Sequence, residues 1–220
     1  LFQYAAGLLK RGYYEDAENE LHNFLDRYPD HALAPRVMYT LIDCYRRQDK
    51  RADAFSALRQ FKERWPNDER TPHLMLWQAE LLIKDGKHPN AETILRQLSV
   101  DKNEDVREAA SYMRAELMQE LKRTDEAVEL YSNLAAKPLE NTGKFRFRPY
   151  ALLNLGMIYR NERKFEDARR CFQKLFDAEK AAPILREEAL FRLGDVAALA
   201  GDFKGAISHF ERLLAEYQES

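Results

Sequence analysis

The chain has 220 residues, and 45% of them are apolar, which is enough to bury the core of one or two domains. Its 35 lysines and arginines against 37 aspartates and glutamates give a formal charge of −2, which argues against nucleic acid as the main partner. No apolar run approaches the roughly 20 residues of a membrane-spanning helix, and two cysteines are too few for a disulfide framework.

An alanine recurs along the whole sequence at spacings of 37, 37, 36, 41 and 38 residues. The six copies are Ala17, Ala54, Ala91, Ala127, Ala168 and Ala206. A large apolar residue follows each alanine by four positions, and in chain order these are Leu21, Leu58, Leu95, Tyr131, Phe172 and Phe210. Twelve residues before the alanine, the side chain is small in most copies. A recurrence of this length is typical of helical repeat proteins.

Each copy predicts a first helix, a tight turn and a second helix. Apolar residues recur at spacings of three and four on both sides of the turn, which is the pattern of an amphipathic helix. Proline suits the first turn of the first helix, and it is present there as Pro35, Pro72 and Pro149. Glycine suits the turn, five residues before the alanine, and it is present there as Gly12, Gly86 and Gly201.

In chain order, the predicted helix–turn–helix units form a single array that covers residues 1–34, 35–71, 72–107, 108–148, 149–186 and 187–220. We expect this array to be a fragment of a longer protein, because Leu1 already occupies a packing position. The last unit ends in apolar residues with no polar capping helix, namely Phe210, Leu213, Leu214 and Tyr217. Terminal repeats need such a cap for solubility, so we expect further sequence after Ser220 or self-association through this end.

Two segments resemble the tetratricopeptide repeat (TPR): LGMIYRNERKFEDARRCFQKL (155–175) and LGDVAALAGDFKGAISHFERL (193–213). Gln78, Ser111 and Arg114 depart from the large apolar residues usual in the family. The resemblance implies an all-α, right-handed superhelical solenoid of about six TPR-like repeats, in which the first helices line a concave groove. It also implies a non-catalytic scaffold that binds a partner protein or peptide in that groove.

A second resemblance concerns location. The first two units end in YPD (28–30) and WPN (65–67), and their period is nearer 37 than 34 residues. This is similar to bacterial cell-envelope members that assist outer-membrane assembly. It implies a location in the bacterial cell envelope (periplasm), with the cytoplasm as the alternative.

The sequence predicts no catalytic, metal or cofactor site. The five histidines form no H-E-x-x-H arrangement, no C-x-x-C pair is present, and no glycine-rich phosphate loop occurs. Cys44 and Cys171 fall on or beside packing positions and are predicted to be small core residues. We therefore predict that the protein is not an enzyme.

Two sets of residues on the first helices are predicted to face the groove. Fifteen residues before the alanine the side chains are large, and in chain order they are Phe2, Tyr39, Leu76, Tyr112, Leu153 and Phe191. Eleven residues before the alanine four of six are acidic, and these four are Asp43, Glu80, Glu116 and Asp195. The large residues could instead pack between adjacent helices, and the acidic ones could be neutralised locally.

Local neutralisation is predicted for two of the four acidic residues. Arg47 follows Asp43 by four residues, and Lys84 follows Glu80 by four, which is a favourable spacing and order on a helix. Glu116 is instead followed by Glu120, a like charge. The pair beside Tyr112 is therefore the predicted site for a basic, apolar segment of a partner.

The connector GKFRFRP (143–149) alternates cations with aromatic rings. We predict a loop whose phenylalanines contact neighbouring helices while its cations stay in water. The alternative is a peptide-docking arm or a short strand for β-augmentation. Its candidate residues are Lys144, Phe145, Arg146, Phe147 and Arg148. Nucleic-acid binding is the least favoured interpretation.

Two other functions remain open for the whole chain. One is an architectural or self-association module of a larger protein, and the other is a nucleic-acid-binding helical repeat, against which the acidic residues and the near-neutral charge argue.

Overall fold

Twelve α-helices and no β-strand make up residues 1–139 and 147–217, which are the residues that the computed structural model describes. In chain order the helices are α1 (Phe2–Lys10), α2 (Tyr14–Arg27), α3 (Ala34–Arg47), α4 (Arg51–Arg64), α5 (Thr71–Lys84), α6 (His88–Leu98), α7 (Glu104–Glu120), α8 (Thr124–Ala135), α9 (Phe147–Asn161), α10 (Phe165–Phe176), α11 (Pro183–Leu199) and α12 (Phe203–Glu216). Five pairs of successive helices pack together, namely α1 with α2, α3 with α4, α7 with α8, α9 with α10 and α11 with α12, so the predicted all-α repeat fold is confirmed. None of these helices is both long enough and apolar enough to cross a membrane.

The chain divides into two compact units, residues 1–78 and residues 79–220. In the first unit, α1 to α4 pack in order, each against the next. In the second unit, the helices from α6 to α12 pack in the same way. The first helices α7, α9 and α11 also contact one another in sequence. Each repeat therefore buries its apolar faces against its neighbours, as repeat proteins do.

The repeated alanines are buried, and each lies in the second helix of its predicted repeat. Five of the six have no exposed surface, and Ala206 is 4% exposed. A methyl side chain lets two helix backbones come close, because the distance between helix axes depends on the side chains at the contact. The alanine spacing in the sequence thus reports the spacing of helix pairs in the fold.

The small residue predicted in the first helix has a partner in the second. A methyl group added at Gly156 would lie 2.6 Å from Cε1 of Phe172, and one added at Gly194 would lie 2.6 Å from Cε1 of Phe210. These distances are too short for real carbon–carbon contacts, so the phenylalanine ring occupies the space that glycine leaves. The two helices of a pair are therefore matched in volume.

All six turns between the helices of a pair have the same backbone geometry. The residue five positions before the alanine has a positive φ angle, between 55° and 85°. The next backbone N–H donates to a carbonyl of the preceding helix, as from Tyr13 to Leu8 at 3.0 Å and from Lys164 to Tyr159 at 2.8 Å. This is the hydrogen bond of a Schellman turn. The predicted turn is confirmed at the glycines, and Asp49, Lys122 and Arg163 adopt it without glycine.

Both cysteines are core residues, as predicted. Cys44 is 0% exposed and Cys171 is 8% exposed. Burial raises the pKa of the Cys171 thiol to about 11, so the thiol stays protonated at neutral pH. A protonated thiol is a poor nucleophile and metal ligand, which suits a packing role.

The prediction of a loop up to Pro149 is wrong for its last two residues. Phe147 and Arg148 belong to α9, and Arg148 is only 5% exposed, so this cation does not stay in water. Lys144, Phe145 and Arg146 lie outside the described residues.

Arg148 belongs to a buried group of charges that joins α7 to the end of α8 and the start of α9. Its Nη2 lies 2.7 Å from Oε1 of Glu108 and 3.1 Å from Oε1 of Glu104. Its Nη1 donates to the carbonyl of Pro138 at 2.7 Å. Lys137 Nζ also lies 2.8 Å from Glu108 Oε1, and Glu108 is 1% exposed. A carboxylate this deeply buried is tolerated only because cations and hydrogen bonds surround it.

Replacing Ala168 by arginine tests the position of the repeated alanine. Ala168→Arg should destabilise the fifth helix pair, because overpacking costs about 1–3 kcal/mol and a buried, unpaired charge adds to that cost. Thermal melting followed by circular dichroism measures the change. Ala215→Arg, at an exposed site on α12, is the matched control. A wild-type melting temperature for Ala168→Arg would contradict the helix pairing.

Removing Arg148 tests the buried charges. Arg148→Met should cost about 3 kcal/mol or more, because the buried Glu108 carboxyl group loses its closest cationic partner. Urea unfolding gives the free energy. Arg169→Met removes an exposed arginine and should change it by no more than about 0.5 kcal/mol. Equal losses of unfolding free energy in the two variants would mean that the buried charges stabilise the fold no more than an exposed ion pair does.

Candidate partner-binding surface

In the unit of residues 1–78, the predicted groove residues are engaged by their own neighbours. Asp43 Oδ2 lies 2.8 Å from Arg47 Nε, which confirms the predicted pair, and its Oδ1 lies 3.9 Å from Arg46 Nη1. The Arg46 guanidinium is 4.8 Å from the centroid of the Trp77 ring. Tyr39 is partly buried and packs against the core. Asp43 is therefore neutralised without any partner molecule.

Leu76, which is partly buried, belongs to the same unit. A half-buried leucine fits a helix contact as well as a docking surface, and it does not separate the two interpretations.

In the unit of residues 79–220, two more of the predicted acidic residues are paired. Glu80 Oε1 lies 2.7 Å from Lys84 Nζ, as the spacing predicted. Asp195 Oδ2 lies 2.7 Å from Nε of Arg160, which belongs to the preceding first helix. The second pair joins two repeats, and spacing within one helix could not have indicated it.

Glu116 differs from the other three acidic residues. Among the described residues, no cation lies within salt-bridge distance of Glu116 or of Glu120. Both lie on the exposed face of α7. Burial raises the pKa of the Glu116 carboxyl, and the nearby Tyr112 hydroxyl partly offsets the effect. The carboxylate is thus partly desolvated and has no cation of its own.

Aromatic side chains surround Tyr112, next to Glu116. The Tyr112 ring centroid lies 5.2 Å from that of Phe147, 6.5 Å from that of Tyr150 and 5.9 Å from that of Tyr131. Tyr131 is fully buried, whereas Tyr150 is 42% exposed. We call Tyr112, Phe147 and Tyr150 the aromatic patch. It provides an apolar surface that reaches solvent through Tyr150.

Hydrogen bonds hold the aromatic patch in place. Asn154 Nδ2 donates to the hydroxyls of Tyr112 and Tyr131, in both cases at 3.1 Å. The Tyr131 hydroxyl donates in turn to Oε1 of Gln119 at 3.3 Å. Burial raises the pKa of both tyrosines, so both hydroxyls remain protonated and able to donate. Asn154, on the first helix of the next repeat, thereby fixes the positions of the Tyr112 and Tyr131 hydroxyls.

The remaining predicted groove residues lie on α9 and α11. Leu153 is partly buried, and Phe191 is 41% exposed. The centroids of the Phe191 and Phe210 rings lie 5.8 Å apart. The Arg192 guanidinium lies 5.4 Å from the centroid of the Phe191 ring. Arg192 also pairs with Glu188 at 2.7 Å. This part of the surface is apolar but is already covered in part by a cation.

The sequence analysis named Tyr112 and Glu116 as candidates but did not indicate that Tyr112 contacts Tyr150 and Asn154. Both follow Pro149 in the first helix of the next repeat, so the contact joins residues about forty positions apart. Comparing the same helix position in adjacent repeats would have indicated them. Among the described residues, no group of His, Cys, Asp and Glu is arranged to hold a metal ion.

The sequence model of the tetratricopeptide repeat matches residues 5–69 and 153–220, and another model of this repeat matches residues 109–138. No curated protein sequence matches the chain.

Solved structures share the fold at low sequence identity. PilF of Pseudomonas aeruginosa is 19% identical with a TM-score of 0.62, and the match covers 100% of this chain and 91% of that one. PilW, described as a widely conserved type IV pilus biogenesis factor, is 15% identical with a TM-score of 0.63 and coverages of 100% and 93%. BtubC from P. vanneervenii is 15% identical with a TM-score of 0.67 and coverages of 92% and 87%. Since sequence models of the repeat match more than half of its residues, the chain belongs to the tetratricopeptide-repeat family.

Proposed function

We propose that the protein is a non-catalytic scaffold that binds a partner protein or peptide on its first helices, with Tyr112 and Glu116 at the centre of the site. Proteins of this family generally serve as scaffolds for protein–protein interaction. The observation that supports this site is that Glu116, next to Tyr112 of the aromatic patch, has no cation within salt-bridge distance among the described residues. Asp43, Glu80 and Asp195 are all paired.

The chemistry of the site indicates the kind of partner. A positive side chain would neutralise Glu116 and Glu120, and an adjacent apolar side chain would cover the aromatic patch. Aromatic residues in a desolvated surface commonly dominate binding energy, and complementary charge adds specificity. The proposed partner segment therefore has a lysine or arginine next to an apolar residue. Nucleic acid is not proposed, because the chain has a net charge of −2.

We also propose a location in the bacterial cell envelope, with the cytoplasm as the alternative. The proposal rests on the YPD and WPN unit endings in the sequence. The likeness to PilW, at 15% identity, supports the fold alone. Fractionation of the native host, followed by detection of the protein in periplasmic and cytoplasmic extracts, decides between the two.

The double variant Glu116→Gln with Glu120→Gln tests the proposed site. Peptides would be selected on the wild-type protein from a random library, and the affinities of the selected peptides measured by fluorescence anisotropy. We expect enrichment of basic–apolar sequences and roughly tenfold weaker binding to the double variant, equivalent to about 1.4 kcal/mol. Glu129→Gln with Glu211→Gln, at exposed sites on α8 and α12, removes the same two charges and is the control. Selection of acidic sequences, or unchanged affinity in the double variant, would show that these two carboxylates do not take part in binding.

The same carboxylates should not stabilise the fold. Because the folded-state pKa of Glu116 is raised, the folded protein holds this proton to higher pH than the unfolded chain does. Ionisation of Glu116 therefore costs stability as the pH rises from the unfolded pKa through the folded one. At neutral pH, Glu116→Gln should be as stable as the wild type or more stable by about 0.5 kcal/mol or less, since the site is exposed. Below pH 4.5, the ordinary value, the difference should disappear. A large loss of stability in Glu116→Gln at neutral pH would show that the Glu116 carboxylate stabilises the fold.

Self-association through α12 is a second candidate function. Phe203, Ile207 and Leu214 on this helix are 68%, 57% and 69% exposed. Phe176 holds the position equivalent to Leu214 in α10, where it is 3% exposed. A second copy of the chain that covered α12 would bury a comparable apolar surface.

Sedimentation equilibrium of the wild type and of Leu214→Glu tests this second candidate. A charge in the centre of an apolar contact is costly, so the variant should be monomeric at concentrations where the wild type associates. Glu211→Gln is an exposed control on the same helix. A wild type that is monomeric at every concentration would dismiss self-association.

A further inference from the structure

Two repeats place an arginine eight residues before the repeated alanine, and each of these arginines contacts a carboxylate of the acidic set. Arg46 Nη1 lies 3.9 Å from Asp43 Oδ1, and its guanidinium lies 4.8 Å from the centroid of the Trp77 ring on the next first helix. Arg160 Nε lies 2.7 Å from Oδ2 of Asp195, also on the next first helix. An arginine at this position thus neutralises a groove carboxylate of its own repeat or of the next one.

The fourth repeat has the carboxylate and the rings but not the arginine. Gln119 stands at the arginine position, and its Oε1 accepts a hydrogen bond from the Tyr131 hydroxyl at 3.3 Å. Glu116 has no cation within salt-bridge distance among the described residues. The Tyr150 ring, 42% exposed, lies edge-on to Tyr112 with centroids 6.5 Å apart. Asn154 stands at the position of Trp77, so the rings near Glu116 are those of the aromatic patch and not the equivalent of the ring beside Arg46.

We infer that an arginine of the partner binds at Glu116, against the aromatic patch, in the place that Arg46 and Arg160 take beside Asp43 and Asp195. The inference rests on the proposed function and narrows the basic partner residue to arginine. No described cation lies within salt-bridge distance of the Glu116 carboxylate, so its oxygens are available to a guanidinium N–H. The guanidinium plane then stacks on the ring face.

Arginine fits this site better than lysine for two physical reasons. A guanidinium group is planar and weakly hydrated, so it stacks on an aromatic ring while donating to a carboxylate. An ammonium group is a compact, strongly hydrated charge that makes the ion pair but not the stacking contact. This chain already uses arginine in this way at other rings, as where the Arg212 guanidinium lies 4.5 Å from the Phe176 centroid.

Three pentapeptides test the inference. All have acetylated N-termini, amidated C-termini and leucine at the first, third and fifth positions, and they differ in carrying arginine, lysine or citrulline at the second and fourth. Binding to the wild-type chain would be followed by NMR shifts of the α7 backbone amides and of the Asn154 side-chain amide. We expect the arginine peptide to bind at least about tenfold more tightly than the citrulline peptide and about threefold more tightly than the lysine peptide.

Two variants test whether the preference for the arginine peptide depends on Glu116 and on Gln119. Glu116→Gln should reduce the affinity for the arginine peptide to that for the citrulline peptide. Gln119→Arg should supply the missing guanidinium from within the chain and lower the affinity for the arginine peptide about tenfold. Melting curves would verify that this variant folds. Gln97→Arg adds the same charge at an exposed site on α6 and should bind like the wild type.

The outcomes separate this inference from the proposed function. If the lysine and arginine peptides bind equally and Glu116→Gln weakens both, the proposed site stands and the arginine inference is overturned. If Gln119→Arg folds and still binds the arginine peptide like the wild type, the inference is also overturned. If no basic peptide binds better than the citrulline one, both the inference and the proposed site fail.

Discussion

The close approach of two helices at a buried alanine is the constraint on which the rest of the structure depends. It fixes the distance between the helices of a pair and therefore the size of every side chain that can lie opposite. The left-handed turn residue five positions earlier is a consequence, because only a tight reversal brings the second helix back onto the first so soon. Packing of pair on pair then follows from the apolar faces that remain.

The residues that pack the helices are different from the residues on the surface between them, so the surface residues can vary. Ala127, Leu117 and Met118 are buried and hold the fourth repeat together, whereas Glu116 and Gln119, next to them on α7, face outward. Chemistry can therefore change at one repeat without changing the fold. The contrast between Arg160, paired with Asp195, and Gln119 shows how one substitution changes a surface from neutralised to open.

The sequence was sufficient to predict the helices, the turns and the alanine contacts, because each depends on spacings within one repeat. It could not predict the pairing of Glu108 with Arg148, whose carboxylate and guanidinium come from residues forty positions apart. Glu108 stands where other repeats have Pro35 and Pro72, so a comparison of repeats alone predicts a helix start and not an ion pair. For the same reason the contacts of Tyr150 and Asn154 with Tyr112 became visible only in three dimensions.

The volume match between Gly156 and Phe172 has a consequence for how such an array can grow. A second helix bearing phenylalanine would clash with Ile42, which stands at the glycine position of the second repeat and is itself fully buried. Single helices are therefore not interchangeable between repeats, although whole hairpins are self-consistent. A chain engineered to be longer or shorter by one repeat would therefore have to gain or lose both helices of a hairpin together, because a junction inside the turn would pair a phenylalanine with a filled position.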